Sequence, residues 1–281
     1  METMETFADG GFTTANTRWE IYLEKSIMEY IESNTVMRNF CYIYPVPLTT
    51  FTARIPTDQA TGLAVELAEG AEVPVVRQET SSFDVKVIKY GTGAFMTDED
   101  KEVDWLGILG QRQVTEAGKR MLRKENADIL AVLLAGAGDS SPASTTGTLK
   151  YEDLVLARAD MINNTYANYK PDLVLVNADQ EADLQVDERF TDASKSGTTQ
   201  TLREGVVGRI AGMDVVSLPE MPTGTAILMD TAEDPLWLAV RQSIRTEQER
   251  LPRRQADAFY VTTWEKPVVT KPDAIYKITS C

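Results

Sequence analysis

Histidine is absent from this chain of 281 residues. Ser-His-Asp and Cys-His catalysis, the common zinc sites and imidazole acid-base chemistry all depend on that residue, so a large part of enzyme space is closed. Cysteine is nearly as scarce. Cys41 falls in a strand-like segment and Cys281 at the last position, which is not the even, spaced framework of a small secreted protein, so two free thiols in a reducing compartment are expected. No stretch approaches about 18 unbroken apolar residues, and no basic stretch followed by an apolar run opens the chain. A soluble protein without a signal peptide is expected. Positive charge is also short, with 28 Lys and Arg against 43 Asp and Glu, a net −15. That balance argues against a chain whose main task is gripping phosphate backbones, although an acidic wall suits a protein that encloses nucleic acid without adhering to it. Solubility alone, or a high-salt habitat, is the plainer reading of the same acidity.

What is present is organised. The first sixteen residues lack periodicity and are expected to form a mobile arm. Thr17 with Glu20 fits a capping box, and Trp19, Tyr22, Leu23, Ile27, Tyr30 and Ile31 share one helical face to about Asn34. Cys41 to Leu48, with Pro45 and Pro47, is expected to be extended at a sheet edge. From Thr50 to Ile88 the period becomes two, predicting a long hairpin. Its stretch from Asp58 to Asp84 carries six acids (Asp58, Glu66, Glu69, Glu72, Glu79, Asp84) against one base, Arg77. So small an apolar set does not close a core, and an isolated two-stranded ribbon is marginal in water, so the hairpin is expected to lean on something else.

Phe83, Val85 and Val87 predict a further strand, and Thr97-Asp98-Glu99-Asp100 starts a helix expected to run from about Val103 to Ala135. It stops at Gly136-Ala137-Gly138-Asp139, and the Ser/Thr/Pro-rich loop to Gly147 is the expected internal boundary. Beyond it the spacing predicts a helix over Tyr151 to Asn164, a strand over Leu173 to Val176, a helix over Ala178 to Leu184, a polar loop over Thr191 to Thr201, and strands over Met213 to Leu218 and Ala226 to Met229. Trp237 to Ile278 is expected to be strand pieces separated by Pro252, Pro267 and Pro272. This last part carries the basic residues Arg241, Arg245, Arg250, Arg253 and Arg254.

None of the candidate chemistry converges. Gly136 to Ser141 ends a helix and lacks the Lys-Ser/Thr of a phosphate loop. Asp98, Glu99, Asp100 and Glu102 do not match a calcium loop and are expected to face the helix dipole instead. There is no Ser-x-x-Lys for a serine nucleophile with a lysine base. The 43 acids leave carboxylate-pair hydrolysis open without singling out a pair.

Three motifs carry a family likeness. They are GVVGRIAGMDVVSLPEMPTGTAILMD from Gly205 to Asp230, the helix end Ala131-Val132-Leu133-Leu134-Ala135-Gly136-Ala137-Gly138, and the closing Lys271-Pro272-Asp273-Ala274. In their order and spacing the chain resembles the tailed-virus (bacteriophage or archaeal virus) major capsid protein with the Hong Kong 97 fold. The resemblance covers nearly the whole chain and implies an α+β architecture. Residues 1–49 would be an arm and helix, 50–84 an extended loop lying on a neighbouring subunit, and 85–150 a peripheral domain with a spine helix over about 103–135. Residues 151–236 would be an axial domain, and 237–281 strands completing both. It further implies a virion protein without catalytic, cofactor or metal sites, assembled in the host cytoplasm. Its hexamers and pentamers would form an icosahedral shell around double-stranded DNA, with scaffold, portal and cement proteins as further partners.

An encapsulin-like compartment shares that fold and is the alternative, and an acidic α/β hydrolytic enzyme using carboxylates is a distant one. On the shell reading, the hairpin acids Glu66, Glu69 and Glu72 are expected to approach Arg250, Arg253 or Arg254 of an adjacent copy. Exposed pairs of this kind contribute ~0–1 kcal/mol each and set register more than strength. Some relatives weld subunits through an extended-loop lysine, but no lysine lies between Lys25 and Lys86, so no such crosslink is expected. The short N-terminus leads to the expectation that scaffolding is separate, dispensable or already removed.

Overall fold

The computed structural model describes residues 37–58, 66, 72–73, 80–103, 108–145, 147–163, 169–187 and 209–281. The expected arm and first helix, the hairpin strand over Leu63 to Ala68, Glu69, and the loop over Thr191 to Thr201 lie outside these residues. In chain order the strands are β1 (Tyr42–Pro45), β2 (Thr52–Asp58), β3 (Thr80–Lys86), β4 (Ile88–Thr97), β5 (Asp139–Pro142), β6 (Leu173–Val176), β7 (Arg209–Ile210), β8 (Met213–Ser217), β9 (Thr225–Met229), β10 (Leu236–Leu251), β11 (Ala256–Val269) and β12 (Ile275–Thr279). The helices are α1 (Asp98–Val103), α2 (Ile108–Gly136), α3 (Tyr151–Asn163) and α4 (Ala178–Val186). The chain forms two compact units, the first from described residues of Ile88–Lys124 and Gln242–Trp264, the second from those of Val36–Val87, Glu125–Arg241 and Glu265–Cys281.

The second unit is built on a six-stranded sheet of order β5-β12-β9-β6-β8-β7. Its strand β6, Leu-Val-Leu-Val, is buried at every position, as a strand covered on both faces must be. Alternation sends Val174 and Val176 to one face, where Leu154, Ala157 and Met161 of α3 and Leu184 of α4 pack. Leu173 and Leu175 go to the other, against Ile129, Leu130 and Leu133 of α2 and Met37. Helix α4 starts on a full capping box. The Asn177 side chain accepts from the helix, and the Gln180 side chain accepts from the Asn177 N–H at 2.8 Å. The β7-β8 turn places Ala211 at φ 50° and Gly212 at φ 85°, and Arg158 donates to the Ala211 carbonyl at 2.6 Å.

In the first unit, Ala117 and Met121 of α2 pack against Ile244 of β10 and Val261 of β11. Strand β4 lies beside β11 so tightly that a Cβ on Gly91 would sit 2.5 Å from the Val261 carbonyl oxygen. No larger residue fits there without the strands parting.

Strand β1 is the edge of the sheet that contains β10, paired in parallel from Tyr42 with Trp237 to Pro45 with Val240. Val46 donates to the Val240 carbonyl at 2.8 Å. Alternate residues of a parallel strand bond to the same neighbour, so Pro45 falls at a position turned outward, where an N–H would otherwise be offered.

Several expectations are corrected. The Gly136 to Gly147 stretch is not a boundary: β5 within it pairs with β12, and Gly138 donates to the Pro272 and Ile275 carbonyls at 2.9 and 3.2 Å. The division into units falls within α2 instead, between Lys124 and Glu125. Val103 ends the short helix α1, and the long helix begins at Ile108. Its 29 residues span about 43 Å at 1.5 Å per residue. Val87 falls between β3 and β4, with its side chain buried. Pro252 and Pro272 do open short 3-10 turns, but Pro267 stays inside β11, since proline's φ suits a strand wherever its missing donor is not needed.

The hairpin also differs in its support. Strands β2 and β3 pair antiparallel from Thr52 with Lys86 to Asp58 with Thr80 as a sheet of their own. Ala53, Ile55, Val85 and Val87 are buried against Val46 and Ala239 of the same unit. The base of the hairpin therefore rests on its own chain.

Candidate functional site

The surfaces suited to meeting another molecule are assembled from local features. At the far end of the β10-β11 hairpin, Pro252 opens a 3-10 turn that closes on Gln255 at φ 45°. Proline pre-sets the turn's φ, and the tight reversal leaves Arg253 and Arg254 exposed at its tip. Beside them Arg250 is engaged within its own chain. It donates to Asp98 at 2.7 Å and to Asp257 at 3.1 Å, and the Asp98 hydrogen bonds, then those of Asp257, hold its proton more tightly than usual. Asp98 is placed for this by Thr97, which caps α1: Thr97 Oγ1 accepts from Asp100 N–H and Asp100 accepts from Thr97 N–H, both at 3.2 Å. The first-turn acids thus cap the helix and anchor an arginine. Glu249, Arg250, Arg253, Arg254 and Tyr260 line an open cleft of about 620 Å³.

Of the hairpin acids, Glu66 and Glu72 are exposed, and Glu69 lies outside the described residues. Among the expected partners, Arg250 is satisfied internally, so Arg253 and Arg254 are the bases left on a protruding turn. Helix α3 carries a second surface. While Leu154, Ala157 and Met161 point into the core, Val155, Leu156 and Ile162 on the opposite side are 37, 56 and 36% exposed, a run of large apolar side chains that a monomer gains nothing by showing to water.

A third constellation was not foreseen. Arg38, from the 3-10 turn Met37–Phe40, lies 3.7 Å from a Glu125 oxygen on α2 and 3.6 Å from a Glu265 oxygen on β11. Both carboxyls are buried. Burial pushes Glu265 up to about 7 and also raises Glu125, Arg38 opposing in each case. Burial, with the nearby Glu125, pushes the Cys41 thiol up to about 12, so little of it is thiolate while it stays buried. Buried acids on amphipathic elements are the only sequence signal for such a cluster, and they do not disclose their partner.

Among the described residues no group of three or more Cys, Asp or Glu side chains is arranged to hold a metal ion, and no helix is long and apolar enough to cross a membrane.

Residues 79–278 match the family model described as phage capsid protein. The major capsid protein of Escherichia phage T5 is 25% identical over 196 residues, which cover 62% of this chain and 42% of that relative. The chain thus spans less than half the length of the curated relative it matches. In three dimensions it is similar to the capsid of cyanophage P-SCSP1u (TM-score 0.71, 12% identity, 98% of this chain and 92% of that one). It is also similar to the chain from Gordonia phage Cozz (TM-score 0.68, 16% identity, 87% and 86%). The holo-SrpI encapsulin of Synechococcus elongatus PCC 7942 has the same fold at TM-score 0.59 and 12% identity, over 98% and 92% of the two chains.

Proposed function

The chain belongs to the phage capsid protein family, and from this we propose that it is a major capsid protein, many copies of which close into an icosahedral shell around the double-stranded DNA of a tailed virus. The observation that carries the proposal is the family match itself, which runs through residues 79–278 and so takes in both compact units. The part played is structural, with pentamers and hexamers repeating heterologous contacts that close a shell instead of a filament. Each contact is weak alone, and persistence comes from many acting at once.

Two surfaces suit such contacts. The exposed Arg253 and Arg254 complement the hairpin acids Glu66, Glu69 and Glu72 of a neighbour, and at ~0–1 kcal/mol for an exposed pair they set register more than strength. The apolar side of α3 offers area for burial between copies. A net charge of −15 keeps the inner wall from adhering to DNA. An encapsulin-like compartment is the second reading, supported by the fold it shares with the holo-SrpI encapsulin.

Electron microscopy of the purified full chain, with light scattering on the same sample, tests the proposal. Closed shells or capsomer rings are expected, and nucleic acid inside shells recovered from infected cells separates the viral reading from the enzyme-filled compartment. A monodisperse monomer across salt and concentration, with or without co-expressed scaffold candidates, would overturn it.

A further inference from the structure

Arg38, Glu125 and Glu265 all belong to the second unit and join three elements that are distant in sequence. The arithmetic of their charges is unbalanced. One guanidinium stands between two carboxyl groups at 3.7 and 3.6 Å, and the Glu125 and Glu265 side chains are only 7 and 2% exposed. Oε1 of each carboxyl has no hydrogen-bond partner, and neither does the buried Asn126 Oδ1 beside Glu125. Uncompensated buried charge is costly, and an acceptor left unpaired adds to the cost. With both carboxyls ionised the cluster carries one excess negative charge. With one proton added it is neutral, and the protonated carboxyl gains a hydrogen to donate.

We propose that Arg38, Glu125 and Glu265 form a proton-operated lock that fastens the turn Met37–Phe40 onto α2 and β11, closed when one of the two carboxyls is protonated and loosened when both ionise. Among the described residues, Arg123 and Lys124 on α2 are exposed, and on β11 the neighbouring Lys266 falls on the opposite face by strand alternation. A further titratable group facing the cluster is Cys41, whose Sγ donates to the Met37 carbonyl at 3.3 Å. Below Arg38, Met37 is fully buried in the core with Ile129 and Leu133. Loosening the lock therefore frees the turn that follows residue 36 from the sheet's covering helix, while the sheet keeps its own contacts.

Cys41 is a built-in reporter of that turn. In the full chain carrying Cys281→Ser, the rate at which a disulfide reagent labels Cys41 is measured from pH 6 to 9. It is divided into the rate for a free cysteine peptide at each pH, which removes the intrinsic thiolate effect. A protection factor that falls at least about fivefold from pH 6 to 8.5 is expected. Glu265→Gln, which keeps one neutral side chain in place, is expected to make protection independent of pH, and Glu125→Gln serves the same purpose if the first variant does not fold. Wild-type protection that stays flat across the range overturns the proposal, as does a fall that persists in the folded variant.

Discussion

Gly138 offers the sharpest test of how the second unit is held together. It lies two residues past the first glycine of the helix stop, and its N–H donates to the Pro272 and Ile275 carbonyls at 2.9 and 3.2 Å. A Cβ added there would meet the carbonyl carbon and oxygen of Pro272 at 2.8 Å and the Asp273 nitrogen at 2.9 Å. All three are backbone atoms, so no side chain can rotate away. Contacts that short are relieved only by moving the 3-10 turn Pro272–Ala274 off the end of α2, and β12 follows that turn directly. Overpacking of this kind costs about 1–3 kcal/mol, and an obstacle made of backbone places Gly138→Ala near the top, about 2–3 kcal/mol. For a chain of this size the loss lowers Tm by on the order of 5–10 °C. Gly147 is the control. It has φ 83° and nothing within 4 Å of a built Cβ, so Gly147→Ala pays only the left-handed backbone cost of about 1 kcal/mol. Urea unfolding followed by tryptophan fluorescence compares the two. Equal destabilisation, or a Gly138→Ala midpoint indistinguishable from wild type, would refute the reasoning that steric approach and not backbone dihedral selects glycine at 138.

Four further outcomes are expected. Ala211 sits at φ 50° in the two-residue β7-β8 turn, so Ala211→Asn is expected to stabilise by about 0.5–1 kcal/mol, read as a rise in Tm, because asparagine tolerates that region better. Burial pushes the Glu265 carboxyl up to about 7 in the folded chain against 4.5 ordinarily, so its contribution to stability is complete below about 4.5 and is lost as pH rises through about 7. Relative to Glu265→Gln, wild type should therefore lose up to about 3 kcal/mol of urea-derived stability between pH 4.5 and 8.5, and parallel pH profiles would contradict this. Asp153 is buried and accepts from the Ser144 and Lys150 N–H groups at 2.8 and 3.1 Å. Asp153→Ala strands both donors and is expected to cost about 2–4 kcal/mol, measurable by the same unfolding. Replacing Glu66, Glu69 and Glu72 together by lysine should reduce shell yield in electron micrographs while leaving circular dichroism and Tm unchanged, and normal yield would remove the hairpin acids from assembly.

Strand β6, helix α4 and strands β8 and β9 were legible because Pro, Gly or Asn stands before each of them and the apolar run Leu173 to Val176 has only one use, burial on both faces. The edge position of β1 and the antiparallel pairing of β2 with β3 were legible for similar reasons. The division into units was not. It falls inside α2, where nothing in the local composition changes, because helix α2 and strands β10 and β11 each give residues to both units. The Gly136 to Gly147 stretch misled in the opposite way, since its turn-forming residues hide a strand whose partner, β12, lies at the other end of the chain. Of the six expected contact residues, the sign of charge was legible but not the prior engagement of Arg250 by Asp98 and Asp257. The Arg38, Glu125 and Glu265 cluster was invisible because each residue alone resembles a solvated surface charge, and only tertiary packing buries it.

The outward-turned Pro45 has a bearing on what the unpaired side of β1 can do. A protein that must accumulate to high concentration before it is used is exposed to runaway pairing of unfinished sheet edges, the route to fibres. By withholding a donor on the outward side of β1, Pro45 makes that edge a poorer template for backbone pairing with another chain.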